Sequence, residues 1–77
     1  MIEVEENKIK IKLNKQFYDL NAVKESLKDF NKVCNGTIAN KKGIEIVLKP
    51  KDKKLTNILG YEFCNYVLGL MKNKIIV

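Results

Sequence analysis

Apolar residues recur along this chain with two different periods, and the change of period divides it into elements. Residues 8–13 read Lys-Ile-Lys-Ile-Lys-Leu, so Ile9, Ile11 and Leu13 alternate with Lys8, Lys10 and Lys12. Strict alternation sorts residues onto the two faces of an extended chain, which predicts a strand with one buried side. Ile2 and Val4 keep the even spacing but in the opposite phase. That shift predicts a bulge or turn at residues 5–7, with residues 2–5 a short extension or a separate strand.

Between residues 20 and 35 the period lengthens. Leu20, Val23, Leu27, Phe30 and Cys34 step by three and four, the stripe of an amphipathic helix. Lys24, Glu25, Lys28, Asp29 and Lys32 fill its other side. Asp19 or Asn21 is the expected N-cap, and Asn35-Gly36 the expected left-handed stop. Residues 37–39 and 43–48 then read as two strands about a turn at 40–43. Pro50 ends the second of them, because proline cannot donate to a ladder.

Residues 51–54 are a charged connection. Leu55, Ile58, Leu59, Phe63, Tyr66, Val67, Leu70 and Met71 form a broad apolar stripe, predicting a second helix over 55–72. Thr56 suits its start, and Lys72 and Lys74 suit the negative end of its dipole. Gly60 and Gly69 each cost about 1 kcal/mol relative to alanine inside a helix. They either weaken it or admit a close neighbour. Residues 75–77 are apolar and β-branched, fit to add an edge strand or to pack on a partner.

The expected order is β-α-β-β-α. Two helices cover only one face of a sheet, so the fold class is α+β, a two-layer sandwich. The sheet is expected to have three or four mostly antiparallel strands, with both helices on one face. Seventy-seven residues make a single domain, 1–77. The uncovered face would show Lys8, Lys10, Lys12, Glu45, Val47 and Lys49. No apolar run approaches the roughly 20 residues of a membrane span. The N-terminus is acidic where a signal peptide would be basic. These features favour a cytoplasmic protein with no membrane contact.

Charge changes this picture less than its size suggests. Fifteen basic against nine acidic residues leave a net charge of +6, and the first partner such a balance suggests is nucleic acid. Every basic residue is lysine, however, and lysine lacks the planar fork with which arginine grips phosphate and guanine. None of the six aromatic residues interleaves with the Lys8, Lys10, Lys12 row, so a stacking platform is missing. An excess of Lys, Asn and Ile is also what an AT-rich genome produces. A basic face of Lys8, Lys10, Lys12 and Lys49, serving a small nucleic-acid-associated subunit of an RNA- or tRNA-modifying complex, is the alternative reading.

Histidine is absent, and with it the side chain most used for acid–base chemistry near neutral pH. Ser26 has no base to activate it, the glycines are isolated, and the carboxylates sit among lysines. The expectation is a protein that is not an enzyme and holds no cofactor or metal. Cys34 and Cys64 lie 30 positions apart without a CxxC pair, and read as small buried hydrophobes. A disulfide, or a metal shared across a dimer, is the other use of such thiols. A small-ligand binder or enzyme built on them is the third reading.

Segment 60–69 is the most distinctive. Phe63, Tyr66, Val67 and Leu70 account for its core side. Glu62, Asn65 and Gly69 then fall on one line at helical spacing, with Tyr66 at its border. A carboxylate, an amide and a gap for close approach suit a partner-binding ridge. The plainer reading is that Glu62 pairs with a lysine and Asn65 bonds locally.

Several short motifs occur in a definite order. Ile-Lys-Leu at 11–13 is followed by Tyr18 with Ala22-Val23, then Phe30 and Cys34, then Ile46-x-Leu48-x-Pro50, and finally Glu62-Phe63-x-Asn65-x-x-Leu68. This order resembles the small D protein of the His-Xaa-Ser system and its HxsD-like relatives, over nearly the whole chain. The resemblance implies an accessory protein beside a radical S-adenosylmethionine enzyme that modifies ribosomally made peptides. Such a protein would be an adaptor or chaperone for the maturase or its peptide. Carried over by resemblance are Tyr18, Ala22, Val23, Pro50, Glu62, Phe63 and Asn65. Ala22, Val23 and Phe63 suit packing, and Glu62 and Asn65 suit contact. The expected partner-binding set is Tyr18, Glu62, Asn65, Tyr66 and Gly69. A homodimer is a further expectation, through a strand edge, the open sheet face or the Gly60/Gly69 side.

Overall fold

A computed structural model of the chain describes residues 2–75, with side chains through Lys72. Four strands and two helices follow one another as β1 (Ile2–Val4), β2 (Ile9–Leu13), α1 (Leu20–Asp29), β3 (Cys34–Asn40), β4 (Ile44–Pro50) and α2 (Leu59–Ile75). A single 3-10 turn, Lys53–Leu55, leads into α2. The sheet is antiparallel throughout, in the order β1-β2-β4-β3. The architecture is the expected α+β sandwich, with one strand more than the simplest expected order.

That extra strand comes from the phase shift at the N-terminus. Ile2 stands opposite Ile11 and Val4 opposite Ile9, so residues 2–4 fold back as a hairpin rather than extending β2. The Glu5 N–H donates to the Lys8 carbonyl at 2.8 Å and closes the turn. Reversal of direction restores the phase, because partners in an antiparallel pair share a face.

The core lies between sheet and helices. Ile9, Ile11 and Leu13 from β2 meet Ile44, Ile46 and Leu48 from β4 on the covered face. Ala22 and Val23 from α1 and Leu59, Phe63 and Val67 from α2 close over them. Helix α1 packs beside β3, α2 packs over β1 and β2, and the helices touch each other. Ser26 is also buried, and its hydroxyl is satisfied by donating to the Ala22 carbonyl at 2.8 Å.

Helix α1 begins where expected, with Asp19 Oδ1 accepting from the Asn21 N–H. It ends at Asp29, five residues before the cysteine that continues its stripe. Cys34 and the Asn35-Gly36 pair belong to β3, and no residue described has a positive φ, so the left-handed stop is not used. Instead the Phe30 carbonyl accepts from the N–H groups of Val33 and Cys34 and turns the chain. Sheet pairing explains this early end. A helix reaching Cys34 would leave β3 only residues 37–39, against a partner strand of seven. Cys34 is buried because it opens a strand on the covered face, and its place in the helical stripe is coincidental.

Helix α2 starts at Leu59 rather than Leu55. Asp52 caps the 3-10 turn by accepting from the Lys54 N–H, and the Thr56 hydroxyl donates to the Lys53 carbonyl. Thr56 thus finishes that turn and does not cap α2. Pro50 stands opposite Cys34 in a pair that does not exchange hydrogen bonds, which is how a ladder tolerates it. Ile75 ends α2 and is not an edge strand; the expected continuation at 76 and 77 lies outside the described residues. No helix described is long and apolar enough to cross a membrane.

Candidate functional site

Because α1 stops at Asp29 and α2 starts at Leu59, the two helix ends do not fill the corner they share. Phe30 and Val33 from the turn after α1 face Leu55 and Ile58 from the approach to α2, with Leu59 at the floor. They bound an apolar groove of about 330 Å³, open to solvent, with Asp29 and Glu62 on its rim. Ile58 is 52% exposed and Val33 38%. A second, larger depression of about 740 Å³ continues from it along α2, lined by Asn65, Tyr66, Gly69, Leu70 and Lys72. Phe30 and Glu62 border both.

The wall between groove and core is built from aromatic rings. Phe30 meets Phe63 edge-on at 5.2 Å between centroids and Tyr66 at 5.3 Å. Such edge contacts favour a fixed geometry over a sliding one. The Tyr66 hydroxyl donates to Asp29 Oδ2 and ties α2 to the end of α1. That bond to a carboxylate, which favours the neutral phenol, raises the Tyr66 pKa. The tie is therefore in place at neutral pH and is lost only as pH rises above the ordinary tyrosine range.

Four of the five residues expected to bind a partner come together here. Glu62, Asn65, Tyr66 and Gly69 are all exposed on one flank of α2. Tyr18 does not join them. It lies half-buried against the core before α1, at the opposite end of a ten-residue helix about 15 Å long. Tyr66 has a structural duty as well, through Phe30 and Asp29. Of the positions carried over by resemblance, Ala22, Val23 and Phe63 are fully buried, while Glu62 and Asn65 face solvent.

Val33, Leu55, Ile58 and Asp29 were not expected at the site. Ile58 and Leu55 fit the apolar stripe of α2 and read as core. Ile58 nevertheless faces outward, because it precedes Glu62 by four residues and its carbonyl accepts from the Glu62 N–H, on the exposed flank rather than the buried line of Leu59, Phe63 and Val67. The signal available was the four-residue step from Ile58 to Glu62, with Thr56-Asn57, two weak helix formers, just ahead of it.

The two glycines of α2 differ. A Cβ on Gly60 would stand 2.9 Å from Ile2 Cγ2 and 3.2 Å from Ile9 Cγ2, so this glycine lets β1 and β2 approach the helix. A Cβ on Gly69 would meet nothing within 4 Å. Gly69→Ala is therefore expected to stabilise the protein by about 0.5–1 kcal/mol, read as a higher urea midpoint. If a partner packs closely there, the same substitution weakens binding while it strengthens the fold.

Four lysines lie on the open face of the sheet, away from the helices. Lys10 and Lys12 face solvent from β2, with Lys8 just before it and Lys49 on β4. Acids interrupt them. Glu5 lies 3.3 Å from Lys10 and 3.9 Å from Lys8. Glu3 stands opposite Lys10, and Glu45 opposite Lys12. Exposed pairs of this kind contribute little stability, but they dilute a basic stripe. Phe30, Tyr61, Phe63 and Tyr66 lie in or beside the helices and Phe17 and Tyr18 just before α1, and among the described residues no aromatic side chain lines the depressions that hold Lys8, Lys10, Lys12 and Lys49.

Both thiols are free, Cys34 buried and Cys64 half-buried. Burial raises the pKa of each, which disfavours the reactive thiolate. In the folded protein a thiol-specific reagent is expected to label Cys64 slowly and Cys34 only after denaturant is added. Prompt labelling of both at neutral pH would show that the thiols are accessible. Among the described residues, no group of three Cys, Asp or Glu side chains is placed to hold a metal ion.

Compared with models of known protein families, with curated proteins and with solved structures, the chain matches none.

Proposed function

We propose that this protein is a non-catalytic adaptor that binds a segment of a partner protein in the groove between the end of α1 and the start of α2. The observation that carries this reading is an exposed apolar pair, Val33 and Ile58, beside the carboxylates of Asp29 and Glu62. Large apolar side chains left in the open at a formed groove mark interaction sites. Two acidic rim groups on a chain of net charge +6 favour a segment with an apolar anchor and a neighbouring Lys or Arg. The groove suits one or two side chains of an extended or helical segment rather than an enclosed small molecule. By its resemblance to HxsD-like proteins, the partner is a peptide-modifying enzyme of the radical S-adenosylmethionine class or that enzyme's peptide substrate. The exposed pair Glu62 and Asn65 agrees with the contact role that this resemblance implies.

Selection of a peptide-display library on the immobilised protein tests the reading. Enriched sequences are expected to combine an apolar residue with a basic neighbour, and to lose affinity for Glu62→Ala. No enrichment over a blank surface would count against a peptide-binding groove. Enrichment of acidic sequences would place binding on the lysine face instead. The nucleic-acid alternative rests on Lys8, Lys10, Lys12 and Lys49 sharing one face. It requires an affinity for RNA or DNA that falls steeply with salt and vanishes when Lys8, Lys10 and Lys12 become Glu.

A further inference from the structure

Strand β3 is an edge of the sheet, and it lacks the usual protection. Natural edge strands are kept short, charged, bulged or covered, so that they do not pair with another chain. The opposite edge, β1, follows this practice, with three residues including Glu3. Strand β3 runs for seven residues, Cys34–Asn40, and carries no charge, although every other strand holds at least one charged residue. It has neither proline nor bulge, and it pairs with β4 residue for residue along its whole length.

The direction of its free groups follows from two hydrogen bonds at its ends. The Lys51 N–H donates to the Val33 carbonyl, and the Lys41 N–H to the Gly43 carbonyl, each at 3.0 Å. Residues 33 and 41 therefore turn their polar groups toward β4. Alternation along an antiparallel pair then assigns 35, 37 and 39 to β4 as well. Gly36, Ile38 and Asn40 turn their N–H and C=O groups outward, and among the described residues no other element bonds to them.

We propose that this edge pairs with the same edge of a second copy of the chain, antiparallel about a two-fold axis at Thr37. The register is the one that uses all seven residues. It sets Gly36 opposite Ile38 of the second copy and Asn40 opposite Cys34, giving roughly six bonds between outward-facing groups. The Cys34 N–H takes no part, because it already bonds the Phe30 carbonyl. On the covered side, half-buried Ile38 meets the glycine position of the other copy, beside the Leu27 side chain that overlies Gly36. On the open side, Thr37 faces Thr37 and Asn35 faces Ala39, with no like charges opposed. An isologous contact needs a self-complementary patch, and a neutral strand read against its own reverse supplies one. The result is a continuous eight-stranded sheet with all four helices on one side, carrying two grooves.

Engineered cysteines and sedimentation test this register. In a pair without mutual hydrogen bonds, Cα atoms lie about 4.5 Å apart, within disulfide range. Thr37→Cys should therefore form an intermolecular disulfide on mild oxidation, roughly tenfold faster than Asn35→Cys, whose partner is Ala39. The unsubstituted protein controls for Cys34 and Cys64. Sedimentation should give twice the 8.9 kDa chain mass for the unsubstituted protein, and the single-chain mass for Thr37→Lys with its circular dichroism unchanged. Monomer at all accessible concentrations would overturn the proposal. So would a dimer that survives Thr37→Lys, or one in which Thr37→Cys cross-links no faster than Asn35→Cys.

Discussion

Phe63→Ala is expected to bring the protein to the edge of unfolding at room temperature. Phe63 has no solvent exposure and is the largest fully buried side chain. It stands where α2, the sheet and the ring of Phe30 meet. Truncating such a residue removes its transfer free energy and leaves a cavity, at a cost of about 3–5 kcal/mol. Domains are stable by about 5–15 kcal/mol, and small ones sit at the low end. Since 1 kcal/mol moves the midpoint of a domain this size by about 4–8 °C, the melting temperature should fall by on the order of 20 °C. Tyr61→Ala is the control, because Tyr61 is 63% exposed and its loss should move the midpoint by only a few degrees. Equal effects of the two substitutions would mean that α2 presents a different face to the sheet.

Ile58→Asp is expected to do the reverse, sparing the fold and removing the binding. Ile58 is 52% exposed and is not part of the buried cluster. A surface substitution of this kind changes stability by about 0.5 kcal/mol. In the groove, however, it sets a carboxylate beside Asp29 and Glu62 and removes the apolar wall. Central residues of an interface cost 2 kcal/mol or more when removed, so affinity for a display-selected peptide should fall by roughly 30-fold or more. The triple change of Lys8, Lys10 and Lys12 to Glu should leave that affinity within about twofold, because those lysines lie on the opposite face. Fluorescence anisotropy with a labelled peptide reads both.

Much of the fold can be read from local pattern because two strong periodicities coincide with burial. Ile9, Ile11, Leu13, Ile44, Ile46 and Leu48 alternate in the sequence and share the covered face in the structure. Asp19 marks the start of α1 in both. What could not be read depends on pairing between distant segments. The end of α1 is decided by the seven residues of β4, which ends at Pro50 well beyond the helix, and not by the stripe that runs on to Cys34. The identity of β1 as a hairpin depends on the turn closed by Glu5 and Lys8. The site divides in the same way. Glu62, Asn65, Tyr66 and Gly69 follow from helical spacing alone, since one helix displays them. Phe30 and Val33 join them only because two helix ends fall short of each other, and spacing within one element does not encode that gap. Tyr18 failed to join because it precedes α1, whereas the groove lies at the other end of that helix.

The composition also acquires a more definite meaning. Lys8, Lys10, Lys12 and Lys49 do share a face, yet Glu3, Glu5 and Glu45 are set among or opposite them. Val33 and Ile58 leave apolar surface in the open where two carboxylates meet it, while Phe17 and Tyr61 stand exposed outside the groove. The measurement that bears most directly on the groove as the binding surface is a chemical-shift titration of the isotope-labelled protein. One arm uses a display-selected peptide, and the other a short single-stranded RNA, both at about 150 mM salt, where exposed charges are largely screened beyond about 8 Å. The peptide should move the amides of Phe30, Val33, Leu55, Ile58, Glu62 and Asn65, and the RNA should move none. Shifts at Lys10, Lys12 and Lys49 on adding RNA, with the groove amides unmoved by peptide, would contradict the adaptor reading.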